Sequence, residues 1–138
     1  RMNCPACHST LVTLELADVE IDHCLQCGGI WLDTGELEIL MDDPEKARGL
    51  LDSFREATAA EQPRRCPICD RKMTKVAVGS SASPRLIDKC RYRDGLWFDG
   101  GELQEILARC ELDPDSRIQR FLADVFGKSG QKSCAELS

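Results

Sequence analysis

No apolar run in the 138 residues approaches the roughly 18 that a membrane-spanning helix requires, which excludes that class. The opening Arg1-Met2-Asn3 lacks the apolar stretch of a secretory signal, so secretion is not expected, and the paired cysteines make the reducing cytoplasm the expected compartment. Enzyme signatures are missing too: there is no nucleophile elbow, no phosphate-cradling glycine loop and no His-Glu-x-x-His pair. A chain of this length has only a modest apolar core, and its folding needs support from elsewhere.

Cysteine is what the sequence has in excess. Nine are present, an odd number that cannot all pair as disulfides within one chain. Six form Cys-x-x-Cys pairs (Cys4 with Cys7, Cys24 with Cys27, Cys66 with Cys69), while Cys90, Cys110 and Cys134 stand apart. Paired spacing of this kind suits metal clips in a reducing compartment better than a disulfide framework. No βαβ pattern surrounds any pair, which disfavours a thioredoxin-like dithiol.

The chain repeats itself. Cys4-Pro5-Ala6-Cys7 aligns with Cys66-Pro67-Ile68-Cys69, and Ile21-Asp22-His23-Cys24 with Ile87-Asp88-Lys89-Cys90 once four extra residues are allowed in the second copy. Gly29-Ile30-Trp31-Leu32-Asp33-Thr34-Gly35-Glu36-Leu37 then falls on Gly95-Leu96-Trp97-Phe98-Asp99-Gly100-Gly101-Glu102-Leu103 without a gap. Two copies of one module organise the sequence.

Each copy predicts the same elements. Leu11 to Leu16 with Val19 to Asp22, and Met73 to Val78 with Arg85 to Lys89, carry the alternating, β-branched residues of a hairpin. Asp33 with Glu36, and Asp99 with Glu102, have capping-box spacing, which starts a short helix in each copy. Asp43-Pro44 and Asp113-Pro114 then open longer helices. Their apolar stripes are Ala47, Leu50, Leu51, Phe54 and Ala57 in one, and Ile118, Phe121, Leu122, Val125 and Phe126 in the other. These stripes are expected to pack on the ribbons or on each other, or to leave a self-association surface on the terminal helix. The expected fold is a small zinc-dependent α+β chain of two tandem zinc ribbons, each a β-hairpin with two metal knuckles followed by a short and a longer helix. The boundaries are residues 1–62 and 63–127, with a polar, flexible tail over 128–138.

Zinc takes four ligands in a tetrahedron, and two knuckles supply them. Cys4, Cys7, Cys24 and Cys27 therefore form a closed Cys4 site, with Gly28 and Gly29 permitting the bend after Cys27. A module of this size buries too little to offset its chain entropy, and structural zinc contributes on the order of 10 to 16 kcal/mol. The second copy retains Cys66, Cys69 and Cys90, but Arg93 stands opposite Cys27 and cannot be a ligand. Three readings follow: Asp94 completes a Cys3Asp site, Cys110 or Cys134 swings in, or the site holds no metal and packing replaces it. His8 and His23 neighbour ligands and are expected to point away, while Trp31 and Trp97 are expected to anchor their modules' packing.

The string Cys-Pro-x-Cys, hairpin, Ile-Asp-x-Cys-x-x-Cys-Gly-Gly-Ile-Trp-Leu-Asp-x-Gly-Glu-Leu resembles the transcription-factor-IIB-type zinc-ribbon family, zf-TFIIB, closely over residues 4 to 40. Residues 66 to 106 resemble a second, divergent member. The resemblance implies zinc ligation by Cys4, Cys7, Cys24 and Cys27, and by Cys66, Cys69 and Cys90. Related second copies often end in Cys-x3-His, and that histidine place falls on Asp94. What the resemblance implies is fold and zinc more than activity, with transcription suggested by the family's name.

Charge divides the functional expectations. Residues 1–62 hold 4 basic and 13 acidic side chains, residues 63–93 hold 9 and 2, and residues 94–138 hold 5 and 9. The first expectation is a non-enzymatic adaptor that meets a protein partner through Trp97, Phe98, Phe121 and Phe126. The alternative is nucleic-acid binding through Arg64, Arg65, Arg71, Lys72, Lys75, Arg85, Lys89, Arg91 and Arg93, with Tyr92 the single aromatic among them. Docking of the basic segment against the acidic first one competes with that alternative. Redox sensing or zinc-dependent catalysis would need an exposed reactive thiol or a three-ligand metal at the irregular second site.

Overall fold

The computed structural model describes residues 2–16, 19–58, 63–78, 85–92 and 94–124. In chain order the elements are β1 (Val12–Leu16), β2 (Val19–His23), β3 (Ile30–Asp33), α1 (Glu36–Met41), α2 (Pro44–Asp52) and β4 (Arg55–Glu56). They continue with β5 (Thr74–Val78), β6 (Arg85–Lys89), β7 (Gly95–Phe98), α3 (Glu102–Ala108) and a fourth helix, α4, over residues 117–124. The chain is thus α+β, built on an antiparallel sheet, and both expected hairpins form. The expected tail falls outside the described residues.

All seven strands join one sheet, in the order β1-β2-β3-β7-β6-β5-β4. Its centre is the junction of the two repeats, where β3 and β7 run antiparallel with Trp31 opposite Trp97, Ile30 opposite Phe98 and Leu32 opposite Leu96. Trp31 and Trp97 occupy equivalent repeat positions, so a pseudo-two-fold axis passes between them. The repeats meet edge to edge as two subunits of an isologous dimer do.

Opposed residues share a sheet face. A single cross-strand row therefore runs Thr13, Asp22, Trp31, Trp97, Asp88, Lys75. This is the face that carries the cysteine knuckles, where Trp31, Trp97, Leu11 and Met73 are buried with Cys4, Cys24, Cys66 and Cys90 in one apolar cluster. The other face is covered by the helices. There Ile21, Ile30, Ile87 and Phe98 pack with Leu37, Leu40, Leu103 and Leu107. Ile118, Phe121 and Leu122 of α4 join the same core. The α4 stripe is therefore spent on intramolecular packing, and Trp97, Phe98 and Phe121, all nearly or fully buried, cannot form the protein-contact surface expected of them. Val125 and Phe126 lie outside the described residues.

Three local expectations change. The stripe from Ala47 to Ala57 is not one helix: α2 stops at Asp52, where Ser53 donates its hydroxyl to the Leu50 carbonyl. Arg55 and Glu56 then form β4 against Ala77 and Val76 of the other repeat. At Asp43-Pro44 the start is as expected, since the Asp43 carboxylate accepts the Lys46 N–H at 3.1 Å. Asp113-Pro114 instead makes a turn in which Asp113 accepts the Asp115 N–H at 2.8 Å, and α4 begins three residues beyond the proline. The capping boxes close on one side only. Glu36 and Glu102 accept the Asp33 and Asp99 N–H groups at 2.7 and 2.8 Å. Asp33 and Asp99 spend their carboxylates on the indole N–H groups of Trp31 and Trp97, at 2.8 and 3.0 Å. The helix starts fall to Gly35 and Gly101, at φ of 92° and 87°, where no side chain caps.

Candidate metal centres

The first knuckle pair begins ahead of β1 and the second joins β2 to β3, so the hairpin brings its two ends together. Each turn is fixed by the backbone: the His8 N–H donates to Cys4 O and the Gly28 N–H to Cys24 O, both at 2.9 Å. His8, directly after Cys7, takes a positive φ of 69°, as does Asp70 after Cys69 at 62°. The Ala6 and Cys7 N–H groups lie 3.3 and 3.4 Å from Cys4 Sγ, and the Cys27 N–H lies 3.5 Å from Cys24 Sγ. Amide dipoles aimed at sulfur favour the thiolate over the thiol.

Four donor atoms converge in each copy. Cys4, Cys7, Cys24 and Cys27 form one group, and Cys66, Cys69, Cys90 and Asp94 form the other, with all donors of a group within 4.8 Å of one another. Sulfurs about 2.3 Å from a central zinc lie about 3.8 Å apart at the corners of a tetrahedron. The first group matches this spacing, with Cys4 Sγ 3.6 Å from Cys27 Sγ and Cys7 Sγ 3.4 Å from Cys24 Sγ. In the second, Cys69 Sγ is 3.7 Å from Cys90 Sγ. Asp94 Oδ2 lies 3.4 Å from Cys66 Sγ and 3.3 Å from Cys90 Sγ, near the roughly 3.5 Å expected between a sulfur and a carboxylate oxygen on one zinc. Both groups can bind zinc.

Burial and hydrogen bonding act on the donors in opposite senses. Burial pushes the thiols of Cys4 and Cys66 up to about 12, so a thiolate there needs an adjacent cation. Hydrogen bonds from Cys69 and Cys90 hold the Asp94 carboxyl below its usual range, with a smaller contribution from the Arg71 charge. Of the other sequence candidates, His8 is exposed and His23 is buried with Nδ1 3.1 Å from Gly29 O. Neither joins a donor group. Cys110 sits on the helical face, its thiol 3.6 Å from the Ile106 carbonyl, away from the knuckles. Cys134 and Arg93 lie outside the described residues.

The two centres lean on one another across the pseudo-axis. A Cβ added to Gly29, two residues after Cys27, would overlap the Trp97 ring; one added to Gly95, next to Asp94, would overlap the Trp31 ring and Leu32 O. Each indole thus lies over the glycine that follows the opposite repeat's second knuckle. The Thr34 N–H also donates to Asp94 O at 3.1 Å. Sequence reasoning missed this exchange, although the repeated Gly-x-Trp-x-Asp holds every residue that makes it.

The basic residues divide into two sets. Lys75 is buried and pairs with Asp88 at 3.0 Å, Arg64 pairs with Asp99 and lies 3.8 Å from Asp88, and Arg85 pairs with Glu105. These acids belong to the second repeat, not to the acidic first segment as expected. Arg65, Arg71, Lys72, Lys89 and Arg91 remain exposed. An apolar groove of about 380 Å³ opens between the repeats, lined by Leu37, Leu51, Phe54 and Leu96, with Asp33, Glu38, Lys89 and the donor Cys90 on its walls.

No described helix is long and apolar enough to cross a membrane. No curated protein and no solved structure matches the chain. A family model described as a transcription factor zinc-finger, the TFIIB zinc ribbon, matches residues 3–43, the span that holds the first donor group, β1 to β3 and α1.

Proposed function

We propose that the chain is a non-enzymatic, zinc-stabilised adaptor that acts by contact with a protein partner. The observation that carries this reading is the convergence of four donor atoms, all within 4.8 Å of one another, in each group. Four protein ligands on one zinc would leave no coordination position for a substrate or an activated water. The groove beside Phe54 supports contact with an apolar anchor, because its walls combine leucine and phenylalanine with two acidic side chains, Asp33 and Glu38, and one basic, Lys89. The family description, transcription factor zinc-finger, favours a role near transcription.

Peptides selected from a random library on intact, zinc-loaded protein test the reading. Supporting binders carry an apolar anchor, bind with a negative heat-capacity change, and lose affinity in Leu51→Lys at unchanged zinc content. Binders indifferent to Leu51→Lys, or none at all, remove the groove from the proposal. Cobalt-substituted protein tests the closure: a visible spectrum that changes on adding azide would reveal an open coordination position and revive catalysis.

A further inference from the structure

We infer that the tip of the second ribbon's knuckles is a contact surface for single-stranded nucleic acid. None of its residues lines the groove, which adjoins it at Cys90, and the inference does not rest on the adaptor reading. Arg65, Arg71, Lys72 and Arg91 are exposed around the second donor group, and among the described residues no carboxylate lies within ion-pair distance of any of them. Two of them donate to neutral oxygens, Arg65 to Asp70 O and Arg91 to the Thr74 hydroxyl, each at 2.9 Å, while Arg71 also acts at longer range on the Asp94 carboxylate. Arg71 stacks its guanidinium 4.3 Å from the centre of the Tyr92 ring. Tyr92 is 55% exposed and Ile68, on the facing knuckle, 50%.

The first ribbon is an internal control. An Asn3–Thr10 bridge there corresponds to the Arg65–Lys72 bridge in the second, so the two knuckle scaffolds superpose in pattern. At the equivalent places the first ribbon carries Asn3, Ser9, Thr10, Leu25 and Gln26, none of them charged or aromatic. The fold therefore requires neither the four cations nor the tyrosine. Cations alone would suit any polyanion. An exposed ring already stacked by arginine adds a flat platform on which a base can lie, which favours an unpaired nucleic acid over an acidic peptide.

Fluorescence anisotropy of a labelled fifteen-residue oligothymidylate with the full, zinc-loaded chain tests this. The expected affinity falls with salt at a logarithmic slope of about −2 to −3, as four cations on a single strand give. Lys72→Thr should reduce that slope by about 0.7. Tyr92→Gln, which copies Gln26, should weaken binding about tenfold at an unchanged slope and unchanged zinc content. The inference is overturned by no binding at low salt, by equal affinity for a duplex of the same length, or by indifference to Tyr92→Gln. Equal competition by polyglutamate would assign the surface to an acidic peptide instead.

Discussion

Asp94 is the residue on which the two metal centres differ. Its carboxylate supplies the fourth donor one position later than the cysteine of the first copy, and a carboxylate is a harder ligand than a thiolate. Native mass spectrometry should find two zincs per chain, falling to one in Asp94→Ala, with the second zinc surrendered first to a chelator; two zincs retained in that variant would remove Asp94 from the site. A second pair of carboxyls responds to pH. Burial raises Glu36 and Glu102 to about 7 from an ordinary 4.5. Between those values the folded chain holds protons that the unfolded chain has released, so each glutamate lowers stability as pH rises through the window, and the loss is complete above about 7. In the double variant Glu36→Gln, Glu102→Gln that contribution vanishes. Urea melts from pH 5 to 8 should show the parent losing stability relative to the variant; parallel curves would mean that neither group titrates there.

The central strands show what an element gains from its opposite number. β3 and β7 are four residues long and largely buried on both faces, and the indole-on-glycine exchange fixes their register. Gly29→Ala should force the Trp97 ring aside and cost about 1 to 3 kcal/mol, read as a lower Tm, while Gly49→Ala, on α2 with open space around it, should cost nothing or stabilise. Knuckles and hairpins were legible in the sequence because their signals are local: a fixed cysteine spacing and an alternation over five residues. β3 was not. Ile30-Trp31-Leu32 is apolar throughout, since helices cover one face and knuckles the other, and no alternation survives. β4 was hidden within a helical period that ran past Asp52, because its two residues are strand only through pairing with β5. The donor groups could be read residue by residue, with Asp94 one of several open alternatives. The groove depends on contacts between elements far apart in the chain, which spacing does not record, whereas Lys75 and Asp88 pair within one hairpin, across β5 and β6.

As a whole molecule the chain is one antiparallel sheet whose two halves, each carrying a donor group, join through one strand apiece. A fragment of residues 1–58 would leave β3 as an open, apolar edge, and the pseudo-axis shows how a second fragment would cover it, with Trp31 opposite Trp31. Sedimentation of the zinc-loaded fragment should therefore give a dimer, weakened by Ile30→Lys; a folded monomer would show that the junction contributes little to β3. The full chain, whose β3 edge is already occupied by β7, should show no such association through that strand.

A dimer of identical subunits writes every substitution twice, once on each side of its axis, so no change can be tried on one face alone. Joining the halves in one polypeptide lifts that constraint. Trp31 and Trp97, Asp33 and Asp99, Glu36 and Glu102 stay matched because both sides of the junction need them. Cys27 and Gln26 have no such counterparts in Arg93 and Tyr92. One half can keep four cysteine donors while the other is free to acquire a different donor and a charged tip, a division of labour closed to any molecule built from a single repeated part.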